Sequence, residues 1–513
     1  VKIVVDTDLD VEAFVARLQV DLYDADENWF FSQELQREDP RSWPSSFVLV
    51  GPRTIDGGAA PKIVFVRLRI FPDGKVRDYR GERFFGPDYK INAQSTEEEK
   101  QECLPLLPSD YGDRESKLLE QLDDEGQPLP PFSPQNEPLP DLTIDRIIPV
   151  LIEPGEQGEV RVLLGGNCLG AQAGFGASVE AGDELVCEDG EYKTAAIEQA
   201  EPGANLPELS RVGTFPEPKP CEQEAPSEWP AFEERICVDG GFFFLGDPAV
   251  FAYGNFDAVP EHVALIDALV IDKYEVTVGR FRQALDDGLL SNVELPIVNE
   301  GPLDFDGDDE SRECTFSTGP VSRENYPLNC VSWETARAFC RANGGDLPTE
   351  AQWEYVAAAA GRNNRETRFA WGSDEPSCDR AVYARAASPA KGANSCAPDH
   401  VDVGVQPVNV DSKDRTVLGV VGMGGSLREL TLDANRPYCA QCWFDTPLNE
   451  PSCDVGAGEA VSVRGGDWAS DEDSLLVGLR NQDLAKAAEF SDEDSPLWSS
   501  RVGFRCVRPG TTN

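Results

Sequence analysis

Fourteen cysteines are spread along the whole of this 513-residue chain rather than gathered in one segment. Cross-links distributed in that way restrict the accessible folds more than any other feature, because each removes chain entropy from arrangements that cannot form it. An even, scattered set favours disulfides and an oxidising compartment. Local separation suggests Cys314–Cys330 and Cys378–Cys396. Cys168 and Cys187 flank a Gly/Ala-rich loop and are expected to pair. Cys221 and Cys237 bracket the end of a Pro/Glu-rich stretch and are candidates to staple it to the next domain. Spacing alone leaves the connectivity open. Cys439-Ala-Gln-Cys442, with Cys453 nearby, reads as a redox pair, as three ligands of a metal site, or as structural bridges in an irregular loop. No neighbouring histidine or fourth cysteine completes a zinc site, which favours the bridges.

The length exceeds one ordinary core and predicts two or three domains. The formal net charge is −48, from 93 acidic against 45 basic residues. Such a surface repels nucleic acid and anionic membranes. It fits a solubilising or salt-adapted surface, or one that collects calcium or cationic partners. No apolar run reaches the length of a membrane span. The chain begins at Val1 rather than methionine, as removal of a signal peptide or lipoprotein leader would leave it, and as a trimmed chain would equally begin. The expected location is extracellular, cell-surface or periplasmic, with any lipid anchor removed or absent from this chain.

Short segments of strand character fill the first 90 residues: Val1–Val5, Arg17–Leu22, Phe47–Val50 and the alternating Lys62–Ile70. Pro72-Asp-Gly74 is a turn from which Val76–Phe85 could pair back as a hairpin. Residues 91–141 are rich in Glu, Asp, Pro and Gln and read as a partly mobile insertion with short helices at 96–103 and 114–123. Strand signals resume at Ile144–Leu151 and Val160–Leu164. Residues 1–199 therefore predict a β-sandwich carrying an insertion, or two small β-domains. Residues 200–236 predict an extended linker, and 237–509 a further domain.

In that last part Asp346-Leu-Pro-Thr-Glu-Ala-Gln-Trp-Glu-Tyr355 stands out. Leu347-Pro348 ends an extended segment. Thr349 sits where an N-cap belongs, Gln352 completes a capping box, and the helix is expected to run into the alanines at 357–360. Thr277 likewise caps a helix with Val278, Phe281 and Leu285 on one face, and Val331-Ser-Trp333 opens another with Ala336, Phe339 and Cys340 inward. The string Leu347–Tyr355 resembles the Leu-Pro-Thr-Glu-Ala-Glu-Trp-Glu-Tyr signature of the formylglycine-generating-enzyme, or sulfatase-modifying-factor, family. Asp239–Gly246, Leu269–Thr277, Ala370-Trp-Gly372, Arg464-Gly-Gly466 and Gly503-Phe-Arg-Cys506 resemble further motifs of that family, in the same order. The resemblance implies a C-type-lectin-type fold of small twisted sheets, two helices and long loops. It also implies a Cys340–Cys506 disulfide. The expected fold class is α+β, mostly β.

The family's enzymes oxidise a substrate cysteine to formylglycine with oxygen and copper(I), held by two cysteines shortly after Arg-Gly-Gly. The matching positions here are Ser470 and Leu475, and the span 465–505 contains no cysteine. Copper(I) needs soft thiolates, so copper is not expected and no catalytic residue is assigned. The family's iron-dependent branch uses three histidines, and this chain has two, His262 and His400. The family's calcium-binding loop aligns with Gly419–Leu430, where Met423, Gly425 and Glu429 match, the asparagine is Ser426, and two tryptophans are Arg428 and Leu430. Losing the asparagine carbonyl removes a hard oxygen ligand. Separately, Asp304, Asp306, Asp308 and Glu310 alternate around a glycine and form a candidate calcium loop, though not with EF-hand spacing. The expectation is a non-catalytic binding or structural protein whose partner is a protein, a glycan or another copy of itself. The alternatives are an oxidoreductase using Cys439 and Cys442, or a calcium-dependent binder. The sugar-binding Glu-Pro-Asn pattern has no counterpart in the right place, since Gln135-Asn-Glu-Pro138 lies outside the domain.

Overall fold

A computed structural model describes residues 1–50, 61–77, 137–174, 185–222 and 230–511, apart from short stretches within them, the longest being 202–209, 251–256, 361–366, 387–394 and 481–498. The chain divides into two compact units, Val1–Glu217 and Pro218–Asn513. Both are mostly β, with few helices. Among the described residues no helix is long and apolar enough to cross a membrane.

The first unit holds strands β1 (Lys2–Thr7), β2 (Arg17–Tyr23), β3 (Trp29–Gln36), β4 (Ser45–Val48), β5 (Lys62–Phe71), β6 (Val76–Arg77), β7 (Glu137–Pro138), β8 (Ile144–Ile152), β9 (Glu159–Leu164), β10 (Leu185–Glu188), β11 (Glu191–Thr194) and β12 (Glu198–Gln199). Five form a sheet in the order β12-β8-β5-β2-β3, and three a second sheet, β4-β1-β9. The alternation read in β5 predicts one solvated face, yet most of the strand is buried. Its arginines are neutralised within the sheet. Arg67 grips Asp145 of β8, with Nη2–Oδ2 at 2.5 Å, and Arg69 reaches Asp21 of β2 at 2.5 Å. Charges survive burial only when paired in this way. Val76–Arg77 pairs with Glu137–Pro138, so the strand's described partner lies far along the chain. The rest of the expected hairpin, and the expected helices of the 91–141 insertion, fall outside the described residues.

The Pro/Glu-rich stretch is anchored where it is described. Asp6 accepts from the Arg211 amide, and the Phe215 amide donates to the Asp8 carbonyl. Further on, Cys221 bonds to Cys237, and the Glu222 amide donates to the Gly510 carbonyl. Composition signals an extended linker, but these partners lie too far away in sequence to be read locally.

Among its described residues the second unit has three small sheets. Strands β13 (Arg235–Val238), β16 (Leu269–Asp272) and β20 (Val507–Pro509) form one, β14 (Gly241–Leu245) and β15 (His262–Ile266) another. The third joins β17 (Arg428–Ala434), β18 (Val461–Arg464) and β19 (Val502–Gly503) in the order β18-β17-β19. Thr277 caps the helix Val278–Asp286, and Ser332 the helix Trp333–Ala342, which buries Ala336, Phe339 and Cys340. Phe281, Phe339 and Phe504 pack together between the two helices and the end of the chain. The capping box of Thr349 and Gln352 is present. The helix it opens, Glu350–Glu354, widens into a π-helix at Tyr355–Ala359, so the alanine run continues the helix with a different winding.

Six disulfides join described cysteines: Cys168–Cys187, Cys221–Cys237, Cys314–Cys330, Cys340–Cys506, Cys378–Cys396 and Cys442–Cys453. Such a set belongs to an oxidising, extracellular or periplasmic compartment.

Candidate functional site

The helix Glu350–Glu354 presents two acids and an indole to the interior, and each finds a fixed partner. Glu350 takes Arg480 in a two-pronged contact, Nη2–Oε2 at 2.7 Å and Nε–Oε1 at 3.1 Å. Glu354 pairs with Arg464 and accepts the Gly246 amide at 2.8 Å. Trp353 donates from Nε1 to Glu429 at 2.8 Å, and Glu429 is gripped in turn by Arg505. Burial works against the charge on Arg464, but Tyr438, Glu354 and Glu350 more than offset it and hold its pKa above the ordinary arginine value. The signature helix is thus tied to the Arg-Gly-Gly strand and to the Gly-Phe-Arg-Cys segment.

Between Arg464 and Arg480, which form an isolated bridge, the chain makes an irregular loop containing the 3-10 helix Asp473–Leu475. Gly465 has φ +82°, and a Cβ there would lie 2.8 Å from the Met423 carbonyl oxygen. A Cβ on Gly466 would meet Leu475 at 2.7 Å. Leu475 itself is fully buried in a cluster with Phe369, Tyr383 and Leu476. Ser470 is buried too, its hydroxyl accepting the Asp467 amide at 3.1 Å. Arg428 Nε lies 2.7 Å from Asp467 Oδ2, and its Nη2 lies 3.5 Å from Ser470 Oγ.

The loop preceding Arg428 is equally occupied. Ser426 has φ +78°, a conformation that asparagine reaches more readily than serine. Its hydroxyl donates to Glu275 at 3.2 Å and its amide to the Val382 carbonyl at 2.8 Å. Asp414 accepts the amides of Gly424 and Gly425 at 2.9 and 2.8 Å. Glu275 and Asp414 line a shallow cleft with Gln406, Val408, Val410 and Val421. Burial, and then repulsion from Glu429, raises the Glu275 pKa well above the carboxylate range. Burial likewise lifts Asp414 to about 7, against the two amides and Arg505.

The sulfatase-modifying factor enzyme 1-like domain matches residues 222–509, more than half of the chain. The chain belongs to that family. Serine/threonine-protein kinase pkn1 of Chlamydia pneumoniae is 24% identical over 290 residues, 56% of this chain and 40% of that one. A formylglycine-generating enzyme of Bos taurus is 29% identical over 165 residues, 27% of this chain and 42% of its own. The chain therefore spans less than half the length of these two relatives. Among solved structures, PvdO from Pseudomonas aeruginosa covers 54% of this chain and 94% of its own, with 18% identity and a TM-score of 0.37.

The residues present do not fit the metals that this sulfatase-modifying factor family implies. A serine hydroxyl engaged by an amide and a buried leucine offer copper(I) no soft donor. In the loop that resembles the family's calcium site, Glu429 is occupied by N–H donors from Trp353 and Arg505, and the Ser426 hydroxyl donates rather than accepts. Among the described residues no three of His, Cys, Asp and Glu are grouped to hold a metal.

The remaining candidates separate. Asp304 pairs with Arg312 at 2.9 Å, Glu310 begins a short 3-10 helix, and Asp306 and Asp308 lie outside the described residues. Cys442 is bonded to Cys453 rather than standing as half of a Cys-x-x-Cys pair, and Cys439 lies outside the described residues. The short helix Cys442–Asp445 buries Trp443 against Tyr438 and carries Cys442, which bonds to Cys453 in the following loop, a geometry no spacing rule encodes. His262 is buried on β15, edge-on to Tyr438, with its pKa lowered to about 3 by burial and then by Arg480. His400 lies outside the described residues. The Arg428–Asp467 pair escapes sequence reasoning. A usable signal exists for it, an arginine in place of a tryptophan together with an acid after Gly-Gly.

Proposed function

We propose that this chain is a non-catalytic member of the family, an extracellular or cell-surface binding or structural protein on a C-type-lectin-type scaffold. The observation that carries this reading is the state of the two positions where the family resemblance calls for thiolates. Ser470 and Leu475 are both built into the interior and neither offers a soft ligand. The N-terminal sheets, each with buried apolar residues such as Leu18 and Leu68 in one and Ile3 and Val5 in the other, are taken to pack as a sandwich. Recognition belongs to the disulfide-held loops, the usual place for it on a rigid scaffold. The partner class is a protein, a glycan or a second copy, and a fold shared with enzymes does not by itself confer their activity.

The test is mass spectrometry of a cysteine-containing peptide incubated with the protein, oxygen and copper. No formylglycine is expected. Turnover above a protein-free control overturns the reading in favour of an enzyme of this family. Calcium at Asp304, Asp306, Asp308 and Glu310 is a separate proposal, and it fails if a chelator leaves the melting temperature unchanged.

A further inference from the structure

The two positions could be pictured as a cradle from which two sulfur atoms are missing. Their surroundings say otherwise. Two departures from the family pattern, arginine for tryptophan at 428 and serine for cysteine at 470, stand in contact. Asp467 joins them. Its Oδ2 lies 2.7 Å from Arg428 Nε as an ion pair rather than an aligned hydrogen bond, its Oδ1 accepts the Ala469 amide at 2.7 Å, and its own amide donates to Ser470 Oγ at 3.1 Å. The Ser470 amide closes back onto the Asp467 carbonyl at 3.1 Å. Arg428 is also held through its backbone, donating to the Arg501 carbonyl at 2.9 Å. Both charged side chains are buried, so neither relaxes toward water.

We propose that the Arg428–Asp467 pair, lying against Ser470, forms a charge-neutral lock in place of the copper-binding thiolates, and that this pair excludes copper(I) even when cysteines are restored. The inference rests on the non-catalytic reading above. The physical reason is a count of charge. Two thiolates and one copper(I) carry a net charge of minus one, and such a centre needs a counter-ion when it leaves water. Arg428, whose Nη2 lies 3.5 Å from Ser470 Oγ, is a cation at hand, and Asp467 has already neutralised it. Leu475 adds a steric term, because it fills the space beneath Gly466, and a cysteine there would leave a void.

The decisive variants are Ser470→Cys/Leu475→Cys with and without Asp467→Asn, challenged with copper(I) under argon against the chelator bicinchoninate. A thiol count in denaturant first establishes that both added cysteines are reduced. The double variant is expected to retain copper within about threefold of wild type. The triple variant, in which Arg428 becomes available as counter-ion, is expected to retain it at least tenfold better. Equal, tight capture by both overturns the lock, and so does failure of the triple variant to gain. A cycle without added cysteines covers the case in which these variants fold poorly. Arg428→Met alone should lower the denaturation midpoint, and Arg428→Met/Asp467→Asn should recover part of it. No recovery overturns the pairing. Formylglycine made by the wild-type protein would instead remove the non-catalytic reading, so the two failures are distinguishable.

Discussion

The segment from Arg464 to Arg480 contains two regions that the same fold treats differently. At its ends, two buried arginines hold Glu354 and Glu350, the acids of the signature helix. In its middle, the positions that the resemblance alone links to copper chemistry carry a serine and a leucine, each buried among fixed neighbours. The ends serve packing, and the helix loses its anchors without them. The middle instead holds a buried polar cluster, in which Arg428 and Asp467 pair beside Ser470. A family signature built on the ends therefore reports the scaffold and is silent about activity.

The strongest way to break this comparison is to remove one end. Arg464→Met or Arg480→Met leaves a buried carboxylate without its cation and is expected to cost roughly 3–5 kcal/mol, read from denaturant midpoints. A loss below about 1 kcal/mol would mean that the ends matter no more than the middle. Next in size comes the covalent tie. Cys340→Ala/Cys506→Ala opens a bridge of sequence separation 166 that joins the helix Trp333–Ala342 to the last strand. It should cost about 2–4 kcal/mol, and more than opening Cys442–Cys453, because longer loops lose more entropy on closure. Equal losses would contradict that ranking.

A third effect depends on pH. The Asp414 pKa is raised from 3.8 to about 7 in the folded chain. Its protonated form is favoured on folding, so its contribution is fully present below pH 3.8 and is lost as pH rises through 7. Asp414→Asn keeps an oxygen for the Gly424 and Gly425 amides and removes the charge. The variant should gain on wild type by on the order of 4 kcal/mol between pH 4 and pH 8. His262 works in the opposite sense. Held neutral with a pKa of about 3, it withdraws stability as pH falls below 6.5. That contribution is common to both proteins and cancels in the difference. A pH-independent difference would show that the Asp414 carboxyl titrates normally.

The sequence was most legible where a local rule decides the outcome. Thr277, Ser332 and Thr349 each cap the adjoining helix, because an N-cap needs only a hydroxyl and an amide three residues on. The disulfides between near neighbours, such as Cys314–Cys330, are suggested by local separation, which does not fix the connectivity. The sequence motifs begin at Asp239, while the family match begins at 222. The features that stayed hidden depend on distant partners. The pairing of Val76 with Pro138, the anchoring of Arg211 to Asp6, and the burial of Arg67 and Arg69 all need the assembled sheet. At the candidate site the serine and leucine at 470 and 475 are plain in the sequence, but the side chains packed around them are not. Arg428 and Asp467 are 39 positions apart and meet only because β17 and β18 are adjacent.

The smallest expected effect tests the helix start at the retained end. Thr349 Oγ1 accepts the Gln352 amide at 3.1 Å, and the Gln352 side chain accepts the Thr349 amide at 3.1 Å. Thr349→Ala removes the first contact and should cost about 1 kcal/mol. The Glu350 amide nevertheless keeps its acceptor, since Asp433 takes it at 2.5 Å from a different strand. The helix therefore has a second, tertiary cap, and the loss should fall at the low end of the range for buried caps. Combining Thr349→Ala with Asp433→Asn separates the two. If they act on the same helix end, the combined loss should differ from the sum of the single losses by more than about 0.5 kcal/mol. Strict additivity would mean that Asp433 supports the Cys453 turn, whose amide it also accepts at 2.7 Å, and not the helix start.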